Sequence, residues 1–262
     1  MRSKSPADFV YDSTITQILI ALAVNGLYGL VLGLSLLPSA IMLRAAIMPA
    51  ISDGAGFVEV FRLAMAAGLA VFAYFLWGAL VQAALVRLIS AGIRPGRYPK
   101  ASLTTLRWLV YSGIYNLALR SILPFIPVSW FSTAFFKIVG ARIGKNVYIN
   151  TPFLNDAYLV TIEDDVIVGG GAEISCHIME RDHLVLRPIR IGESSLIGTG
   201  AYLSPGTEIG ARCVVGARCY LRMGTKVPDG SVLTVLAGMP MREAFALEKK
   251  GSRRKGGAAD RG

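Results

Sequence analysis

Two hydrophobic patterns divide the chain. In the N-terminal third, apolar residues run on without charge. In the C-terminal half they recur every six residues. Residues 191–232 fall into seven frames without a gap, IGESSL IGTGAY LSPGTE IGARCV VGARCY LRMGTK VPDGSV. Each frame opens on an aliphatic residue (Ile191, Ile197, Leu203, Ile209, Val215, Leu221, Val227) and carries a small residue in its fifth place. A fixed six-residue period predicts a coiled β-solenoid, each frame a short strand with its first and fifth side chains pointing inward. Gly192, Gly198, Gly210 and Gly216, in the second place, are expected to permit the bend at each corner. A single coil cannot bury its own face, so the coils must stack.

Upstream, the same frame begins near Ile143 (IGKNVY), lapses through an irregular stretch at 151–161, and resumes as IEDDVI and VGGGAE over 162–173. It breaks again at 177–190, HIMERDHLVLRPIR, which is expected to loop out of the coil. Long insertions in repeat arrays map to one face and often carry function.

The uncharged run 13–43 exceeds the ~20 residues that span a bilayer core and is too long for the core of a signal peptide. Pro38 is expected to mark a kink or the exit. A second uncharged run, 63–86, reads as a second span. Arg2 and Lys4 precede the first span, and Arg87, Arg94, Arg97, Lys100 and Arg107 follow the second. Both ends are therefore expected in the cytoplasm, with the solenoid on that side of a cell inner membrane. Residues 101–140 hold two short aromatic-rich runs broken by Arg120, Pro124 and Pro127, and read as an interfacial or re-entrant helical connector. The good helix formers of MREAFALEKK predict a short C-terminal helix capping the solenoid. The expected divisions are a membrane region with two helices at 1–100, the connector at 101–140, the solenoid at 141–238, and a terminal helix with a basic tail at 239–262.

Composition supports this layout. The 262 residues are 53% hydrophobic with mean hydropathy +0.53, too apolar for an ordinary soluble domain. The net charge of +10 is uneven: 1–140 carries +7, 141–248 carries −2 and 249–262 carries +5. Basic excess beside membrane segments suits anionic lipid better than a nucleic-acid groove, so no nucleic-acid partner is expected. Cys213 and Cys219 occupy the small inward place on neighbouring walls, which argues against a disulfide, and Cys176 fills the last coil position before the break. The scattered Cys and two His fit no metal-ligand spacing.

Both histidines, His177 and His183, lie in the 177–190 excursion, and imidazole suits proton transfer near neutrality. The IG frames, the His-bearing segment before Pro188, SPGTEIG at 204–210 and AGMPMR at 237–242 resemble the hexapeptide-repeat acyltransferases. That resemblance implies a left-handed parallel β-helix, a homotrimer, and an acyl-CoA or phosphopantetheine-linked donor. It also implies a loop histidine as general base, His177 with His183 as the alternative. It places the donor along Gly198, Thr199, Gly200, Gly216 and Ala217. Arg218, Arg242, Arg212 and Arg222 are candidates for phosphate or an acyl or peptidyl carrier protein, and Asn155 and Asp156 for acceptor contact. The two spans, PGRYPK, the RW-containing stretch and GARIGKNVYI are similar to a C-terminal module of Pls/PosA-type membrane peptide synthetases. Three readings stay open: a membrane-bound acyltransferase, a condensation-like module joining carrier-bound amino acids, or a non-enzymatic membrane scaffold.

Overall fold

The computed structural model describes residues 14–52, 56–126 and 130–234. Two long helices, α1 (Thr14–Ser52) and α2 (Phe57–Ser90), form an antiparallel hairpin. A short strand, Gly96–Pro99, leads to helix α3 (Leu103–Ser121) and helix α4 (Trp130–Val139), and the rest is a three-walled left-handed parallel β-helix. Segments Ala21–Pro49 and Phe57–Ser90 are long and apolar enough to cross a membrane, each with mean hydropathy 2.0. Their outer faces present large apolar side chains such as Leu22, Leu30, Phe61 and Phe72.

Helix α1 continues through Pro38, where the sequence predicted a kink or an exit. Proline removes the donor for the carbonyl four residues back, that of Leu34. Here Trp77 Nε1 of α2 donates to the Leu34 carbonyl at 3.0 Å. Ser39 Oγ donates to the Ala70 carbonyl at 2.6 Å, and Gln82 Nε2 to Ser35 Oγ at 3.2 Å. In an apolar setting such bonds satisfy groups that water cannot reach.

Helix α3 is capped by Ser102, whose side chain accepts from Thr105 N. Its Trp108, Tyr111, Tyr115 and Leu119 recur on one face and are buried. That face lies on the first coil. Tyr115 Oη donates to the Leu154 carbonyl at 2.6 Å, and Tyr111 meets Tyr158 edge-on with ring centroids 5.1 Å apart. Phe135, Phe136 and Val139 of α4 join the same core. These aromatics close the N-terminal end of the solenoid, as an end coil requires.

The first wall stacks Arg142–Ile143, Val160–Ile162, Ile189–Ile191, Glu208–Ile209 and Lys226–Val227. The second stacks Tyr148–Ile149, Ile167–Val168, Leu196–Ile197, Val214–Val215 and Val232–Leu233. The third stacks Leu154–Asn155, Glu173–Ser175, Tyr202–Leu203 and Tyr220–Leu221. All pairings are parallel, with Ile191 on Ile209 and Leu203 on Leu221. First-place aliphatics are buried, as are the fifth-place Ser195, Ala201, Thr207, Cys213 and Cys219. None of the three cysteines is in a disulfide.

Two expectations need correction. The left-handed corner residue is the fourth of each frame, not the glycine in the second place. Asn146, Asp165, Ser194, Arg212 and Arg218 all have positive φ, as do Gly200, Gly206, Gly224 and Gly230. The second-place glycines answer to proximity instead. A Cβ on Gly198 would lie 2.4 Å from Ala217 N, and one on Gly192 2.5 Å from Gly210 C. The stretch 151–161, irregular in sequence, keeps the coil going: Leu154–Asn155 starts the third wall and Val160–Ile162 belongs to the first. The break at 177–190 is not an open loop but a β-hairpin, His177–Glu180 with His183–Leu186, and Ile189–Ile191 is already a coil strand. The expected terminal helix and Arg242 lie outside the described residues.

The proximity argument makes a prediction. Gly198→Ala should lower stability by about 1–3 kcal/mol, because backbone rather than a flexible side chain fills the space. Gly68→Ala in α2, where a Cβ meets nothing within 4 Å, should not lower the thermal melt followed by circular dichroism. Equal melts for Gly198→Ala and wild type would refute the close-stacking account.

Candidate active site

The hairpin leaves the solenoid where the third wall ends at the buried Cys176, and it returns at the first wall. Arg181 takes the left-handed conformation at its turn. Leu184 and Leu186 bury one side of its outer strand. That strand pairs antiparallel with Gly96–Pro99, and Lys100 N donates to the Asp182 carbonyl at 2.7 Å, so a three-stranded sheet joins the hairpin to the exit of α2.

Stacking of the third wall sets Asn155 against Ser175, so the next residue, Asp156, meets the start of the hairpin. Asp156 is left-handed and 2% exposed. Its Oδ2 lies 2.5 Å from His177 Nδ1. Its Oδ1 accepts from Trp108 Nε1 at 2.8 Å, and the Trp108 and His177 ring centroids are 4.8 Å apart. A carboxylate only accepts, so Nδ1 carries the hydrogen and Nε2 is the basic nitrogen of the neutral ring. The His177 side chain is still 28% exposed, enough for a reactant to reach it. Burial works to lower its pKa, but the hydrogen bond and charge of Asp156, with help from Glu173, outweigh it and hold the imidazole above its ordinary 6.5. Glu173 is itself fixed by Asn155 Nδ2 at 3.0 Å.

The other histidine, His183, is half-buried in the outer strand opposite Pro99 and Glu180, with no side-chain hydrogen bond or ion pair among the described residues. Gly198, Thr199 and Gly200 form the corner between the second and third walls, and Gly216, Ala217 and Arg218 repeat it one coil on. The N–H groups of Gly198, Gly200, Gly216 and Arg218 are spent on coil-to-coil bonds, which leaves those of Thr199 and Ala217 without a protein acceptor among the described residues. This corner and His177 lie at opposite edges of the third wall, so one chain does not bring them together. Between them the outer face carries Tyr202 and Tyr220, stacked at 5.3 Å. Arg212 is at the first-to-second corner, 4.0 Å from Glu193, while Arg222 shares the hairpin's corner with Arg187. A groove of about 690 Å³ lined by Arg142, Gly144, Glu163 and Asp164 does not include His177. No group of three or more His, Cys, Asp or Glu among the described residues could hold a metal.

The sequence pointed to Asn155 and Asp156 as acceptor contacts, whereas in the structure they hold Glu173 and His177. Trp108 stands out in the sequence only as part of the RW-containing aromatic stretch, with no role at the site. Only its place on the buried face of α3 could have singled it out.

The repeat and the comparisons place the solenoid next to the hexapeptide-repeat acyltransferases, to which it is similar. The family described as bacterial transferase hexapeptide (six repeats) matches residues 188–222. More particularly, the chain is 31% identical over 146 residues to a delta-poly-L-ornithine synthetase of Acinetobacter baumannii (strain AB307-0294), a match over 56% of this chain and 11% of that protein. The chain thus spans about a tenth of that relative's length. A hexapeptide-repeat-containing acetyltransferase from Vibrio cholerae is 27% identical, covering 36% of this chain and 57% of its own, with a TM-score of 0.32. A serine acetyltransferase from Neisseria gonorrhoeae is 14% identical, covering 80% of this chain and 70% of its own, with a TM-score of 0.35.

The Asp156–His177 bond has a thermodynamic signature. A histidine whose folded pKa is raised contributes stability that is present below its unfolded value and lost as pH climbs through the folded one. The melting-temperature gap between wild type and Asp156→Asn should be widest near about pH 6 and narrow toward about pH 9. A gap independent of pH would show that the pair does not titrate as described.

Proposed function

We propose that this chain is a membrane-bound acyltransferase that passes an acyl group from a thioester, of CoA or of a carrier protein, to an amine or hydroxyl, with His177 as general base. One observation supports the reading above all: the buried Asp156 holds Nδ1 of a partly exposed imidazole and leaves Nε2 to face a reactant. Nε2 takes the proton from the acceptor as its nitrogen or oxygen bonds to the thioester carbon. The C–S bond then breaks, the proton passes to the departing sulfur, and an amide or ester and a free thiol leave. Asp156 stabilises the transient imidazolium without taking its proton.

The donor would lie along the corner of Gly198, Thr199, Gly200, Gly216 and Ala217, where the Thr199 and Ala217 N–H groups are available. Arg218, and Arg242 beyond it, would meet phosphate. Because that corner and His177 occupy opposite edges of one wall, the reading calls for a neighbouring copy in a homotrimer to complete the groove. The basic residues at the exit of α2 favour a multi-pass protein of the inner membrane with the solenoid in the cytoplasm, in contact with anionic lipid and not nucleic acid. The similarity to a delta-poly-L-ornithine synthetase favours a particular version, in which the acceptor is an amino-acid amine and the donor an aminoacyl thioester on a carrier protein.

Purified chain in detergent should release thiol from acyl-CoA or carrier thioesters when offered a panel of amines and alcohols. His177→Ala should cut this by roughly 10²–10⁴-fold, and His183→Ala should leave it within about twofold. Full turnover by His177→Ala would sink the assignment.

A further inference from the structure

The aspartate of the pair has two oxygens, and only one serves the histidine. The other is held by a residue from outside the solenoid. Trp108 belongs to α3, the helix that follows the long apolar hairpin in sequence and lies against both α2 and the first coil. Its Nε1 donates to Asp156 Oδ1 at 2.8 Å, and its ring lies against the imidazole. The residue before it, Arg107, donates from Nη2 to the Ala91 carbonyl at the C-terminal end of α2, at 2.5 Å. Consecutive residues of one helix therefore reach the end of α2 and the Asp156–His177 pair.

We infer that Trp108 is a positioning residue for the base: it fixes the Asp156 carboxylate from α3 and so sets both the orientation and the basicity of His177. The inference rests on the reading of His177 as the general base. The physical case is short. Asp156 is 2% exposed, so its second oxygen must find a protein donor or remain unpaired at high cost. No other side chain among the described residues donates to that oxygen. An indole N–H supplies one bond without adding charge. It draws negative charge toward Oδ1 and away from Oδ2, so it moderates the pull on the Nδ1 proton. The tilted indole ring, its centroid 4.8 Å from that of the imidazole, also restricts rotation of the imidazole.

The charged groups facing His177 are Asp156 and Glu173 from the coils, and α3 adds the neutral Trp108. Around Asp156, burial keeps the hydroxyls of Tyr111, Tyr115 and Tyr158 and the thiol of Cys176 protonated well above their ordinary values, so none adds charge near neutrality. The balance at His177 thus depends on one carboxylate and on how firmly its other oxygen is held.

The test uses the full chain in detergent micelles and diethylpyrocarbonate, which modifies only the unprotonated imidazole. Modification of His177 is followed against pH by peptide mass spectrometry, with His183 as internal reference. In Trp108→Phe, which keeps an aromatic face but loses the N–H, the His177 midpoint should rise by about one pH unit, a tenfold gain in proton affinity. His183 should keep its profile. A second variant, with benzothienylalanine at 108, keeps the bicyclic shape and replaces N–H by sulfur; it decides the matter if Trp108→Phe folds poorly. A His177 midpoint that stays or falls in the benzothienylalanine variant overturns the proposal. If the midpoint rises there while His177→Ala retains turnover, the hold of Trp108 on the pair stands and the assignment of His177 as base fails.

Discussion

Backbone spacing between coils is the constraint from which the rest of the solenoid follows. Parallel strands stack at about 4.8 Å, and at Gly192, Gly198, Gly210 and Gly216 the next coil comes closer to where a Cβ would be than a side chain tolerates. Glycine there allows the coils to close on each other. The fourth residue then turns the chain in a left-handed conformation, even where it is arginine or aspartate. The same spacing fixes what lies beside what. With Asn155 paired to Ser175, Asp156 comes level with Cys176, and its carboxylate reaches His177, the next residue along. The Asp156–His177 pair is thereby assembled from two neighbouring coils.

The helical part solves a different problem with similar means. Two prolines interrupt the hydrogen bonding of α1, and the carbonyl left by Pro38 is taken up by a tryptophan from its partner helix. The buried face of α3 then covers the end of the first coil with tyrosine and tryptophan, each with its polar atom turned to use where a partner exists: Tyr115 on a carbonyl, Trp108 on a carboxylate. One continuous core results, running from α2 through α3 and α4 into the coils.

Much of this was legible in the sequence, and the reasons are local. Ile191, Ile197 and Leu203 declare a six-residue strand repeat whatever surrounds them, and uncharged runs of twenty or more residues declare long apolar helices. The corner chemistry was misread because Gly198 is a familiar turn residue. Its actual role depends on Ala217, nineteen positions later, which no local pattern reveals. The hairpin was unreadable for a related reason. Its outer strand is completed by Gly96–Pro99, a four-residue segment containing a proline and some eighty residues upstream. Likewise nothing near His177 or His183 distinguishes them, since Asp156 and Trp108 are joined to the site only by folding.

The sheet made by Gly96–Pro99 and the hairpin bears on how such a chain can be divided. Sequence patterns invite a cut near residue 140, between the apolar helices and the repeats. The pairing shows otherwise. A fragment beginning there would lose Trp108 from its aspartate and the whole partner strand from His183–Leu186, and would present an unpaired edge ready to stick to its own kind. The long helices and the solenoid share one core, so a fragment cut near residue 140 is the wrong object in which to look for an activity.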